Sequence, residues 1–241
     1  MSSNHHMKRL NAPRTLRLHR KEKTWTIRPL PGPHPIAQSI SLGVLIRDYL
    51  NLCDTRREAR QILSLGNISV DGIIRKDLKF PVGLMDVISI LSDKKFFRLV
   101  FDKRGKLTIV PISASDAEWK LRRIENKSTL KGNKTQLNLH DGTNLLMKEK
   151  ESYQVGDVLK MKLKDHSVTD VFPRKKGTIS FIIGGSHTGE MATLDEISVI
   201  KSPKPNVAQM KGDQQFTTLE EYVFPIGKTK PVIALPEVKI Q

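Results

Sequence analysis

Residues 41–91 read SLGVLIRDYLNLCDTRREARQILSLGNISVDGIIRKDLKFPVGLMDVISIL, and the periodicity of their apolar positions changes along the way. Leu42, Leu45, Ile46, Tyr49, Leu50 and Leu52 recur at helical spacing behind Ser41, a natural N-cap, which predicts a first helix running to about Asn51. Thr55-Arg56-Arg57-Glu58 then has the form of a capping box, in which the threonine hydroxyl accepts from the third helical N–H and the glutamate reaches back to the cap. The second helix that follows ends at Gly66, a natural stop. Its Ala59, Ile62 and Leu63 turn toward the first helix, whereas Arg56, Arg57 and Arg60 fall within an arc of roughly 100° and form a comb of guanidinium groups. Beyond Gly66, Ile68-Ser69-Val70 and Ile73-Ile74 flank Asp71-Gly72, which predicts a tight hairpin. Pro81-Val82-Gly83 leads into Asp86-Val87-Ile88-Ser89-Ile90, an alternating closing strand.

Helix, turn, Arg-rich capped helix, glycine, Asp-Gly hairpin and closing strand, in this order over residues 42–91, resemble the S-four-type RNA-binding domain, also called the alpha-L motif. Leu84-Met85 lengthens the turn before Asp86 relative to that pattern. The resemblance implies a ledge of second helix and hairpin offered to folded RNA, with contacts from Thr55, Arg56, Arg60, Gln61, Asn67 and Lys79, and with Arg57 beside them. Gly66, Asp71 and Gly72 are its structural turn positions. Arginine suits the task, because its planar fork matches phosphate oxygens and such contacts read the shape and backbone of RNA more than its sequence. Three arginines on an arbitrary helix are more often a solvated face; the surrounding pattern is what lends them a role.

The whole chain has 241 residues, with 41 Lys+Arg against 25 Asp+Glu and a net charge of +16. Such a balance points to an acidic partner, either nucleic acid or an anionic membrane surface. Residues 1–34 concentrate it, holding Lys8, Arg9, Arg14, Arg17, Arg20, Lys21, Lys23 and Arg28 against Glu22 alone. Pro13, Pro29, Pro31, Pro33 and Pro35 exclude a long amphipathic helix lying on a membrane and predict an extended basic arm. Residues 42–91 are nearly neutral, residues 93–140 are again strongly basic, and residues 177–200 contain neither Lys nor Arg. With Ser-Pro-Lys-Pro at 202–205, these steps divide the chain into a basic N-terminal arm (1–41), the RNA-binding domain (42–91), a β-rich central domain (92–172), a small β-barrel (173–205) and a C-terminal extension (206–241). The fold class expected is α+β, mostly β.

No apolar run approaches the ~20 residues that span a bilayer, so the expectation is a soluble, cytoplasmic protein with no membrane partner. Cys53 is the only cysteine, which excludes an intrachain disulfide and any zinc ribbon or finger, and buried packing is its expected role.

Gly177-Thr178-Ile179-Ser180-Phe181-Ile182-Ile183 alternates as a strand, followed by the loop Gly184-Gly185-Ser186-His187-Thr188-Gly189 and then Met191-Ala192-Thr193-Leu194. This resembles a KOW motif, the strand-loop-strand core of a small β-barrel, with Gly185 and Gly189 at its loop glycines. Ala192 and Thr188 stand where a glycine and a basic residue are common. Gly184 to Gly189 also has the spacing of a phosphate-binding loop, but Glu190 and Met191 occupy the positions that need Lys and Ser/Thr, which excludes nucleotide binding there. His5-His6 lacks nearby ligand partners and reads as a tail. His34, between two prolines, either stacks on a base or sits in a stiffened turn, and is counted among the RNA-binding candidates. Trp25 and Trp119 have basic neighbours, but core packing is the expected place of each. No metal site, cofactor, small-molecule substrate or catalytic residue is expected, because no paired carboxylates, G-x-S-x-G, HExxH or CxxC signature occurs.

End to end, the chain resembles the small-subunit ribosomal protein of the S-four-e type, in its archaeal form. The match runs through Lys8-Arg9-Leu10-Asn11-Ala12-Pro13, Trp25 and Arg28-Pro29-Leu30-Pro31-Gly32-Pro33-His34 to the closing Glu220-Glu221-Tyr222-Val223-Phe224-Pro225-Ile226-Gly227. The resemblance implies a structural constituent of the ribosome that binds small-subunit rRNA beside neighbouring small-subunit proteins and performs no chemistry. Two other classes share parts of the pattern: an RNA-modifying enzyme accessory to ribosome assembly, which would need a catalytic domain with an essential Asp, and a transcription elongation factor with a KOW domain.

Overall fold

A computed structural model gives residues 6–132, 134–147, 153–212 and 214–233, so that His5 lies outside the described residues. The chain forms two compact units, one of residues 1–100 with 106–120, the other of residues 101–105 with 121–241.

In the first unit, β1 (Met7–Lys8) pairs antiparallel with β2 (Trp25–Thr26), and β3 (Ser39–Ser41) leads into a short α1 (Leu42–Val44) that continues as a π-turn over Leu45–Tyr49. The Leu50 N–H donates to the Leu45 carbonyl at 2.9 Å, five residues back, so the helix ends slightly before the predicted Asn51. Leu42, Leu45 and Ile46 are buried as their spacing predicts, Val44 joins them, Tyr49 and Leu50 are half-buried, and Leu52, past the end of the helix, is exposed. The second helix, α2 (Arg56–Ser64), carries the expected capping box: the Glu58 N–H donates to Thr55 Oγ1 at 3.2 Å, and Glu58 Oε2 accepts from the Thr55 N–H at 3.3 Å. Next, β4 (Ile68–Val70) and β5 (Ile73–Ile74) pair across Asp71-Gly72. The turn needs positive φ at both central residues, and they take 51° and 78°. β6 (Pro81–Gly83) pairs with β3, while β7 (Val87–Ile90), β8 (Lys95–Phe101) and β9 (Leu107–Ile112) complete a sheet of order β5-β4-β7-β8-β9.

Two expectations change here. Residues 6–41 are folded rather than extended: Ala12, Leu16 and Ile27 are buried, and the Arg20 guanidinium donates to the carbonyls of Leu10, Ala12 and Pro13. The prolines prevent a helix without preventing a compact loop that closes on its own carbonyls. The first unit also runs past residue 91, because β8 and β9 extend its sheet.

The second unit is built of β-strands with one 3-10 turn, Glu220–Tyr222, among the described residues. One sheet has the order β12-β11-β10-β13-β14, built from β10 (Trp119–Leu130, its first two residues in the first unit), β11 (Lys134–Leu139), β12 (Asn144–Leu146), β13 (Val158–Lys162) and β14 (Val168–Phe172). Ile124, Leu137, Leu139, Tyr153, Leu159 and Met161 make its core. The other has the order β18-β17-β16-β15-β19, from β15 (Ile179–Ile182), β16 (Met191–Ser198), β17 (Val207–Lys211), β18 (Gln215–Leu219) and β19 (Val223–Gly227). Ala192 and Leu194, then Ala208 and Met210, are buried at alternate positions, the signature of strands with one face in a core. Residues 207–227 therefore belong to this sheet and are not an extension: the Ser-Pro-Lys-Pro segment is the loop between β16 and β17.

Candidate nucleic-acid interface

The α2 helix buries Ala59 and Leu63 and leaves Arg56, Arg57, Arg60 and Gln61 exposed on its other side, beside the exposed cap Thr55. Asn67, half-buried, follows the Gly66 stop, where φ is 77°. The neighbouring hairpin is anchored from beneath. Asp71 Oδ1 accepts from the Val87 N–H at 2.9 Å, and its Oδ2 accepts from Lys120 Nζ at 2.8 Å. Lys120 is wholly buried and also donates to Asp86 Oδ1 at 2.5 Å, while Asp86 accepts from the Gly83 N–H at 2.8 Å and lies 3.0 Å from His34 Nε2. Burial alone raises both carboxyls. In Asp86 the charges of Lys120 and His34 outweigh it and hold the group below the usual carboxylate range, whereas in Asp71 burial prevails, helped by the Asp86 charge, and its pKa is raised.

A cleft of about 440 Å³ opens in the same unit, lined by Met7, Trp25, Thr26, Arg28, Arg56 and Lys79 among others. Lys79 is brought there by its own turn: its N–H donates to Asp77 Oδ1 at 2.9 Å, and its carbonyl accepts the Leu30 N–H at 2.9 Å, stitching this segment to the N-terminal one. Arg28, Arg56 and Lys79, distant in sequence, thus share one cleft. Trp25 departs from expectation, being 55% exposed instead of packed in the core. Strand alternation does not reveal it, since Thr26 and Ile27 are both buried beside it and β2 is only two residues long. Trp119 is buried as expected, with the Arg98 guanidinium 4.3 Å from its ring centroid.

A second, larger cleft of about 600 Å³ is lined by Arg17, His19, Lys23, Arg47, Asp48 and Tyr49 among others. Lys8, Arg14, Arg17, Lys21 and Lys23 are exposed. Three other candidates serve the fold. Arg9 is buried at 2% exposure, 3.9 Å from Asp48; His34 is buried against Asp86; and Arg20 spends its guanidinium on backbone carbonyls. Arg9 and His34 are 2% and 6% exposed, so little of either side chain is open in this fold. Cys53 is half-buried, its thiol pushed up by burial and by nearby carboxylates.

In the second unit, β15 and β16 pair around the loop 183–190, where Gly185 and Gly189 adopt φ of 84° and 85°. The loop's His187 stacks on Phe216 with centroids 3.9 Å apart and pairs with Glu190 at 3.0 Å. Among the described residues, no group of three His, Cys, Asp or Glu could hold a metal ion, and no helix is long and apolar enough to cross a membrane.

A capped arginine helix followed by an anchored hairpin, with a cationic cleft in the same unit and further β-sheets, defines a basic, mostly β protein with one small helical domain. Comparison with known proteins identifies the family. The chain matches the S4 domain over residues 46–88, the RS4NT domain over residues 1–37 and Ribosomal family S4e over residues 93–168. It is 42% identical to the small ribosomal subunit protein eS4 of Methanothermobacter thermautotrophicus over 98% of each chain. It is 43% identical to the protein of that name from Archaeoglobus fulgidus, over 95% of this chain and 97% of that one. The crystal structure of the 30S ribosomal protein S4e from Thermoplasma acidophilum aligns with a TM-score of 0.69 at 33% identity, covering 80% of this chain and 96% of the other. The chain belongs to the S4e family of ribosomal proteins.

Proposed function

We propose that this protein is a structural constituent of the small ribosomal subunit, in the cytoplasm, and that it binds and holds small-subunit rRNA alongside neighbouring ribosomal proteins without catalysing a reaction. The observation that carries this is near-full-length identity of 42% to a small ribosomal subunit protein. The exposed arginine row of α2 supports it chemically, since Arg56, Arg57 and Arg60 are held in water by a capped helix with no buried duty of their own. In this reading residues 42–91 are an alpha-L type domain, with Thr55, Gln61, Asn67 and Lys79 flanking the arginines as RNA contacts and the exposed cations of residues 8–28 adding phosphate contacts. The sheet of β15 to β19 is a KOW-type barrel, whose own strand-loop-strand segment carries no Lys or Arg between residues 177 and 200 and so contributes few phosphate contacts.

Neutralising phosphates releases counterions, so affinity falls steeply with salt. Sedimentation of a native lysate through sucrose gradients, before and after a high-salt wash, tests the assignment: the protein stays with the small subunit in stoichiometric amount. Sub-stoichiometric presence that salt removes would replace it with a transient factor. Arg56→Ala with Arg60→Ala lowers the salt slope of rRNA binding by ~1.4–1.8, at ~0.7–0.9 per lost phosphate contact, and leaves the circular-dichroism spectrum unchanged.

A further inference from the structure

We propose that the cleft beside Trp25 is a docking site for one unpaired nucleotide of the bound RNA, the base laid on the indole and the phosphates held by Arg28, Arg56 and Lys79. The inference rests on the rRNA-binding reading and names the kind of nucleotide that this part of the surface takes.

Four observations converge on it. The Trp25 ring is 55% exposed, whereas the other tryptophan, Trp119, is 8% exposed, so the fold itself does not use the Trp25 indole for its core. The ring opens onto a cleft of about 440 Å³, within the ~300–1,000 Å³ of pockets that enclose small ligands. Three cations and no carboxylate line that cleft, in a chain where acidic residues number 25, so its chemistry selects an anion. Finally, the cations come from separate segments: Arg28 follows β2, Arg56 opens α2, and Lys79 sits in the turn tied to Leu30. The His6 ring stands 5.7 Å from the indole at an angle of 55°, adding an aromatic wall.

The aromatic ring distinguishes the form of the anion. A duplex offers phosphates and groove edges but keeps its base faces stacked, so an indole gains nothing from it. An unpaired nucleotide in a loop or bulge presents a π-face, and stacking it on an aromatic side chain is sequence-tolerant. A neighbouring protein could cover an indole, but a cleft whose charged lining is wholly cationic is better matched by a polyanion.

Indole emission of the full-length protein, titrated with a short oligouridine and with a blunt-ended RNA duplex at low salt, tests the site. Because Trp119 is buried, the ligand-dependent change reports Trp25. Oligouridine should quench it and the duplex should not. Trp25→Ala should weaken oligouridine binding ~5- to 150-fold, the range for one stacked base, and Trp25→Phe should retain most of it. Circular dichroism checks that both variants fold. Equal quenching by the duplex, or unchanged oligouridine affinity in Trp25→Ala, would overturn the site. The same proteins are assayed for binding to small-subunit rRNA. If the wild type binds rRNA while Trp25 is indifferent to oligouridine, only the nucleotide site falls; if it binds neither RNA, the rRNA-binding reading falls with it. A Trp25→Ala subunit that loses a neighbouring protein while oligouridine affinity is unchanged would make the face a protein contact instead.

Discussion

Replacing Lys120 by methionine removes the ammonium that Asp71 and Asp86 share. Methionine has a similar length and fills the space, so the change tests charge more than packing. Lys120 is wholly buried, and Asp86, with a side chain 2% exposed, keeps only the Gly83 N–H and His34 as hydrogen-bond partners of its carboxylate once the ammonium is gone. Asp71 keeps the Val87 N–H and, at 21% side-chain exposure, reaches some water. Removing one partner of a buried ion pair typically costs about 3–5 kcal/mol, and the retained partners place this case at the lower end, about 3 kcal/mol. Urea unfolding measures it, in a Trp25→Phe background that leaves Trp119, next to Lys120, as the sole indole. The midpoint should fall with m unchanged. Combining Lys120→Met with Asp86→Asn should be less damaging than the sum of the single changes by at least ~1 kcal/mol, since the two groups interact directly. A loss below ~1 kcal/mol for Lys120→Met, or strict additivity in the double replacement, would refute the assignment of this network as the anchor of the hairpin.

Asp86 has a pKa lowered in the fold, so the stability it contributes is full above its unfolded value of ~3.9 and is lost as pH falls through the lower folded value. Asp86→Asn should therefore be less stable than the wild type at neutral pH and converge with it in strong acid, which urea midpoints at stepped pH will show; parallel curves would count against it. Tyr49 is half-buried, its hydroxyl accepting the Arg17 N–H at 2.8 Å, and desolvation pushes its pKa up to about 12. Its folded value is raised, so its contribution is full below the unfolded pKa of ~10 and is lost as pH rises through the folded one; the phenolate absorbance of the folded protein should contain a late phase near 12 that Tyr49→Phe removes. Thr55→Ala deletes the α2 cap and should lower stability by about 1 kcal/mol, with faster amide exchange at Glu58, whose N–H then lacks its hydroxyl acceptor. Unchanged exchange there would show that the cap is dispensable.

The parts of this fold that could be read from sequence are those governed by neighbours in the chain. The capping box spans Thr55 to Glu58, the hairpin turn is two residues, and the burial of Ala59 and Leu63 follows from helical spacing alone. The parts that could not be read depend on distant pairings. Lys120 lies 49 residues from Asp71 and 34 from Asp86, and His34 lies 52 from Asp86. No local rule distinguishes a lysine that will be sealed between two carboxylates from one that will reach for phosphate. Arg9 and His34, buried beside Asp48 and Asp86, show the same dependence on distant partners. The 202–205 boundary failed differently: Pro and Ser mark a β-hairpin loop and an interdomain linker with the same residues, and only the antiparallel register of Ser198 with Val207 decides between them.

That difference between local and distant determinants alters how the charge itself should be counted. Arg9, Arg98, Lys120 and Arg122 are all at most 2% exposed, and Arg122 forms a buried pair with Asp141 at 2.8 Å. Arg98 donates to the carbonyls of Asp116 and Trp119 at 2.8 Å each, and desolvation lowers its pKa to about 10. These cations hold strands and turns in place and release no counterions when RNA arrives. In the proposed rRNA-binding reading, the number of phosphates neutralised is therefore set by the exposed cations, Arg56, Arg57, Arg60 and those of residues 8–23 among them, and cannot be read from the net charge of +16. The buried cations act one step earlier. Lys120, by fixing the hairpin that follows α2, gives the exposed arginines a steadier frame, and in the proposed reading a fixed spacing is what lets a row of guanidinium groups discriminate one RNA shape from another.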